Sequence, residues 1–153
     1  MESKMGLKEQ IPEDLKNALR NKKALELSVL RMLQAALKNK EIDNKKEELK
    51  DEDVVTVVGA EIKKRRDAVK EYEKVNRPDA ADQEKAEIDI LMKYMPQQMS
   101  EDEIRDVVKS AVEETQAEGM KDIGKVMKVL MPKVKGKADG AVVNKIVREL
   151  LEG

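Results

Sequence analysis

The sequence predicts an all-α chain, on three observations. Its 153 residues include two tyrosines and no Phe or Trp, and the composition leans on Ala, Leu, Met, Lys, Glu and Arg, which favour helix over strand. Apolar residues recur at three- and four-residue steps, most cleanly at Ile104, Val107, Val108, Ala111 and Val112. Helix-start signals stand where those runs begin, with Pro78 suited to a first helical position and Ser100 followed by Glu103 in a capping-box pattern. With so few rings, the core must come from Leu, Ile, Val, Ala and nine Met. The length suits one ordinary domain or two small ones.

A first helix is expected over about Leu7 to Arg20, with Leu7, Ile11, Leu15, Ala18 and Leu19 along one side. Pro12 lies inside it, so the helix kinks there or begins just before. A second runs from about Ala24 to Lys40 on a main face of Leu25, Val29, Met32, Leu33 and Ala36, widened by Leu30 and Leu37. "NKKEELKDED", Asn44 to Asp53, reads as a solvated connection; it lacks the alternating Asp and central Gly of a calcium loop. The third helix, about Glu52 to Val75, carries Val55, Val58, Ile62, Val69 and Tyr72. The fourth follows "NRPDA" to Tyr94, with Ala81, Ile88, Leu91 and Met95 inward.

Pro96 and the Ser100 signal mark the expected boundary: an N-terminal four-helix unit over residues 1–96, then a C-terminal three-helix bundle over 97–153. The fifth helix is expected to end at Gly119, in the position just past a helix where glycine is favoured. The sixth, about Lys121 to Leu130, stops before Pro132. The seventh carries Val142, Val143, Ile146, Val147, Leu150 and Leu151.

The chain has no Cys and no His. Disulfides, thiol nucleophiles and Cys-based metal sites are excluded, as are the usual neutral-pH general base and the commonest transition-metal ligand. None of the four serines belongs to a Ser-His-Asp arrangement. "GKAD" at Gly136 lacks the Ser or Thr of a phosphate-binding loop and follows no strand. No catalytic residue, metal ligand or cofactor is expected. No apolar run of about 18 residues crosses a membrane, and the N-terminus lacks a signal-peptide core. These two observations lead to the expectation of a cytoplasmic protein without a membrane partner.

Charge is uneven. Residues 119–153 hold eight Lys or Arg against four acids, so that end sums to +4 and the remainder to −5. The basic end points to an anionic partner or to ordinary scatter in a lysine-rich chain. Within it, "MPKVKGKADG" (Met131 to Gly140) forms an elbow with Lys133, Lys135 and Lys137 near the start of the seventh helix, which Asp139 can cap. Such an elbow can hold a phosphate or can simply keep a loop soluble. A second constellation lies in "EIKKRRDAVK": Arg65 or Arg66 runs past the apolar stripe of the third helix. In an antiparallel hairpin, Arg66 falls within one to two turns of Glu84 and Glu87. The readings are an inter-helix ion pair or a basic patch for phosphate.

Five segments, "LKEQIPEDLKNAL", "LSVLRMLQAALKNKEI", "EIKKRRDAVKEYEK", "EKAEIDILMKYMPQQMSEDE" and "MKDIGKVMKVLMPKVKGKADGAVVNKIVRELL", together resemble the YqeY-like family of small bacterial proteins, in order and over nearly the whole chain. The resemblance implies two helical bundles. It also implies kinship with a helical C-terminal tail domain of aspartyl/glutamyl-tRNA amidotransferase, a tail that contacts tRNA. The catalytic domain of that enzyme has no counterpart here. The family label, carbon–nitrogen ligase with glutamine as amido-N-donor, therefore comes to a chain carrying only the accessory part. By that resemblance the partner is tRNA, with a tRNA-modifying or aminoacylation enzyme beside it. The matching residues that would meet tRNA are Lys121, Lys125, Lys128, Lys133, Lys135, Lys137 and Lys145, with Asn144 beside them and Gly124, Gly136, Asp139 and Gly140 as structural supports. A rival is a helical protein–protein adaptor using exposed methionines such as Met92, Met95 and Met99.

Overall fold

The computed structural model describes residues 6–45 and 48–152. Among them are seven α-helices, α1 (Leu7–Arg20), α2 (Ala24–Asp43), α3 (Asp51–Lys74), α4 (Pro78–Met92), α5 (Glu101–Thr115), α6 (Ile123–Val134) and α7 (Gly140–Glu152). A short 3-10 turn, Met120–Asp122, precedes α6, and no strand occurs among the described residues. The chain divides into two compact units, Met1–Met95 and Pro96–Gly153.

In the first unit Pro12 neither starts nor ends its helix. α1 begins at Leu7 and runs through the proline, which removes a single intrahelical donor. The first turn is capped from far along the chain, the Leu7 N–H donating to Asp51 Oδ1 at 3.0 Å. The core joins Ile11, Ala18, Val29, Leu30, Leu33, Leu37, Leu49, Val54, Val58, Ile62, Leu91 and Tyr94. α2 buries Val29, Leu30, Leu33 and Leu37. The predicted main face is thus rotated: Leu25 is 38% and Met32 51% exposed. α2 has apolar residues on two adjoining sides, and spacing alone does not say which one its neighbours cover. The polar connection after α2 is not wholly solvated, because Leu49 sits in the core at 6% exposure; its residues 46 and 47 lie outside the described residues. α3 and α4 close at Asn76, in left-handed backbone with φ 57°, and Pro78 opens α4.

In the second unit the Ser100 signal acts as a capping box. Ser100 Oγ accepts from the Glu103 N–H at 3.2 Å, and the Ser100 N–H donates to Glu103 Oε1 at 3.4 Å. α5 ends earlier than expected, at Thr115, with Gln116 in the left-handed position (φ 54°). Gly119 instead has an extended φ of 174° and precedes the 3-10 turn. Pro132 does not stop α6, which continues to Val134: in the last turn a proline costs one hydrogen bond, and Val134 is buried at 1% exposure. The core gathers Ile104, Val108, Ala111, Val126, Leu130, Val134, Val143, Ile146, Val147 and Leu151. A fully buried Leu or Ile of this set stabilises by about 1.5–3 kcal/mol relative to exposure.

Candidate nucleic-acid interface

The core-facing residues of α6 recur every fourth position at Val126, Leu130 and Val134. That spacing turns Lys125 and Lys128 outward, with Lys121 in the turn before them, and all three are exposed. Lys121 pairs with Glu118 at 3.6 Å and Lys125 with Asp122 at 3.8 Å. Asp122 also accepts the Glu118 N–H at 2.9 Å, which chiefly holds its carboxyl below the usual range, with the two lysine charges adding to the effect. Lys133 reaches Glu114 at 3.2 Å. Lys128, Lys135, Lys137 and Lys145 are exposed and carry no ion pair among the described residues. Surface pairs of this kind contribute little, so even the paired lysines can be redirected to another anion at small cost.

The elbow between α6 and α7 has a fixed backbone. Lys135 leaves the helix with ψ 124°, and Gly136 takes φ 76°, where a side chain would be strained. The N–H groups of Lys137 and Ala138 both return to the Val134 carbonyl, at 2.9 and 3.1 Å. Asp139 Oδ1 accepts from the Ala141 N–H at 2.9 Å, the expected cap of α7. Gly140 is the first residue of α7 and Gly124 lies within α6, and a Cβ would meet nothing within 4 Å at either. Of the three candidate glycines, Gly136 alone has backbone that calls for glycine.

A strap, 96–99, fixes the elbow from the other side. Gln98 Nε2 donates to the Gly136 carbonyl at 2.9 Å and the Pro96 carbonyl at 2.7 Å, and the Met99 N–H donates to the Lys137 carbonyl at 2.8 Å. Sequence reasoning missed Gln98, because a hydrogen bond across 38 residues leaves no periodic trace. The arrangement displays Lys133, Lys135 and Lys137 on a turn whose backbone is hydrogen-bonded on both flanks. Asn144, exposed on α7, accepts from Arg148 Nε at 3.1 Å.

The charge asymmetry is more local than residues 119–153 suggest. The second unit includes α5 with Glu101, Asp102, Glu103, Asp106, Glu113 and Glu114, so its acids outnumber its bases eleven to ten. It is a polarised unit, more acidic on α5 and basic along α6 and the elbow, joined by Lys133–Glu114 at 3.2 Å, while Arg105 of α5 pairs with Glu149 of α7 at 2.9 Å.

In the first unit the buried cation is Arg65, at 4% exposure, while Arg66 is half-buried. Arg65 Nε donates to Glu87 Oε1 at 3.0 Å, and its Nη1 to the Glu61 carbonyl at 3.1 Å and Glu61 Oε1 at 3.4 Å. Sequence reasoning also missed Glu61, although four residues before an arginine is a regular helical pairing position. Glu84 stands beside this cluster; desolvation first and the Glu87 charge second hold its carboxyl above the usual range, with Arg65 opposing. Arg65 is therefore an ion-pair residue tying α3 to α4. Near the end of α4, a cleft of about 250 Å³ is lined by Asp14, Glu26, Asp89, Lys93 and Tyr94. There the Tyr94 hydroxyl donates to Asp14 Oδ2 at 2.6 Å and Lys93 lies 3.3 Å from the same oxygen. The methionines of an adaptor surface are not exposed: Met92 and Met95 pack on the first core and Met99 on the second.

No helix among the described residues is long and apolar enough to cross a membrane. The family described as Yqey-like protein matches residues 8–151. "Altered inheritance of mitochondria protein 41, mitochondrial" of Pyrenophora tritici-repentis is 31% identical over 145 residues, 93% of this chain and 79% of that protein. Proteins of the same name from Candida glabrata and Lachancea thermotolerans are 35% and 33% identical over 89 and 87 residues. These cover 56% and 57% of this chain, which spans a little under half of their lengths, 47% and 46%. The expectation of a cytoplasmic protein is corrected by these relatives, which are named as mitochondrial. Composition and hydropathy separate membrane from water and do not separate one aqueous compartment from another. On the span of the family match and the identity to the Pyrenophora protein, the chain belongs to the YqeY-like family.

Proposed function

We propose that the chain is a tRNA-binding accessory protein whose α6–elbow–α7 surface meets the phosphate backbone. The observation that carries the reading is the elbow itself: a turn pinned on both flanks that displays Lys133, Lys135 and Lys137, two of them without an ion pair among the described residues. Lys121, Lys125, Lys128 and Lys145 add further exposed cations on α6, on α7 and in the turn before α6. Preorganised cations attract phosphate without an ordering cost at the moment of binding. The chain has no Phe, Trp or His and only two tyrosines, both in the first unit. Recognition by the elbow therefore reads backbone and shape rather than stacked bases.

On this reading the four-helix and three-helix units are separate domains. Support comes from the two separate buried cores. The chain acts beside a tRNA-dependent amidotransferase or another tRNA-modifying or aminoacylation enzyme and supplies no catalytic group of its own. The compartment favoured by the relatives' names is the mitochondrion. The test is tRNA affinity of the full chain across a salt series. A linear fall of log affinity with log salt is expected, and affinity that ignores salt would contradict the reading.

A further inference from the structure

α2 has a second, largely open face, which α3 touches at Met32, whose Sδ lies 3.8 Å from Arg65 Nη2. Leu25, Ser28, Met32, Ala35, Asn39 and Ile42 are all exposed and follow one another at steps of three, four, three, four and three. That is the spacing of a heptad seam. It adjoins the buried stripe of Val29, Leu30, Leu33 and Leu37 and is distinct from it. Leu25, Met32 and Ile42 are 38%, 51% and 57% exposed. The seam runs the length of the helix, about 26 Å at 1.5 Å per residue. Three large apolar side chains, Leu25, Met32 and Ile42, share this line with the small or polar Ser28, Ala35 and Asn39, a pattern able to receive another helix.

Charge selects the occupant. Between Ser28 and Lys40, α2 carries Arg31, Lys38 and Lys40 and no acid. Arg31 and Lys38 each stand just before a seam residue, where the flanking charge of a coiled-coil pair sits, and both are exposed. Neither has an ion pair among the described residues. A second copy docked by a two-fold axis across α2 would run antiparallel and set these cations against their own symmetry mates, a repulsive arrangement. The other flank turns toward the core at Val29 and Ala36 and carries one exposed acid, Asp43, at its C-terminal end, so cations predominate along the seam. The surrounding corner adds Arg20, Lys22 and Lys23, all exposed. We propose that the outer face of α2 docks one amphipathic helix of a partner protein, with apolar residues at heptad spacing and Asp or Glu flanking them. This surface is separate in sequence and in unit from the elbow and does not depend on tRNA binding.

The probes are two helical peptides of about 21 residues, three heptads, with identical apolar seams, one flanked by Glu and one by Lys. Binding to the full chain is read by fluorescence anisotropy at low and moderate salt. The Glu-flanked peptide is expected to bind at least about tenfold tighter than the Lys-flanked one. Arg31→Glu with Lys38→Glu should reverse that preference. Leu25→Ser, Met32→Ser and Ile42→Ser together should abolish binding while a thermal melt still shows a cooperatively folded chain, Met32 giving up the 3.8 Å contact of its sulfur with the Arg65 guanidinium. Equal binding of both peptides, or unchanged binding by the triple-serine variant, would overturn the proposal. So would sedimentation showing a dimer of the parent chain that the triple-serine variant dissolves, because the occupant would then be a second copy.

Discussion

Replacing Arg65 by Ala should destabilise the first unit more than any other single change to a charged residue of α3. The guanidinium is 4% exposed and satisfies two carboxylates on two helices, Glu87 at 3.0 Å and Glu61 at 3.4 Å. With the arginine gone, Glu61 keeps Lys64 at 3.1 Å on its solvent side. Glu87 instead loses the cation beside it, while Glu84 remains near enough to repel it. Removing one member of a buried pair costs about 3–5 kcal/mol, because the remaining charge stays desolvated. Against a typical total of about 5–15 kcal/mol, that is a large fraction of the stability. Thermal and urea unfolding of Arg65→Ala should show a Tm lower by more than about 10 °C. Arg66→Ala, at a less buried site, should cost less than Arg65→Ala. A loss below about 1 kcal/mol, or equal losses for Arg65→Ala and Arg66→Ala, would refute the assignment of Arg65 as the residue that ties α3 to α4.

Three further outcomes are expected. Ile146→Ala, at a site 1% exposed in the second core, should cost about 2–5 kcal/mol in thermal unfolding; no loss would mean that the stripe is not core. Glu84→Gln should raise Tm at neutral pH and not near pH 4. The folded carboxyl is held above its ordinary range, so its protonated form favours folding at low pH, and that contribution is lost as pH rises through the folded pKa; a lower Tm for the variant at neutral pH would contradict this sign. The purified chain alone should form no Gln-tRNA from glutamyl-tRNA, glutamine and ATP, as read by acid-gel or mass analysis of the aminoacyl ester; turnover by this chain alone would defeat the accessory reading.

Helix existence and most starts were legible because they rest on local chemistry. The Ser100–Glu103 cap, Pro78 at the head of α4 and the 3–4 spacing of α5 and α7 are all contained within a few residues. Helix ends were less legible. Gln116 rather than Gly119 takes the left-handed turn, and Pro132 is carried inside α6 because burial of Val134 outweighs one missing hydrogen bond. The covered face of α2 was not legible because its two apolar stripes adjoin, and only tertiary packing decides which is covered. At the elbow the lysines and the Asp139 cap could be read from sequence, but the Gln98 strap could not, since it joins distant segments. The Arg65 cluster was half legible: Glu87 follows from the hairpin, while the choice of Arg65 over Arg66 turns on a 100° rotation that the stripe alone left open.

The most direct measurement of the central claim is the salt dependence of tRNA binding by the triple variant Lys133→Ala, Lys135→Ala, Lys137→Ala. Each phosphate that is no longer neutralised should lower the slope of log affinity against log salt by about one. The variant should therefore bind more weakly, with a slope reduced by up to about three and a Tm near that of the parent, since exposed lysines contribute little to folding. If the variant binds tRNA with the parent's affinity and the parent's slope, the elbow is a solubilising turn and its assignment as the contact surface fails; if the parent itself shows no salt-dependent binding, the tRNA reading fails with it.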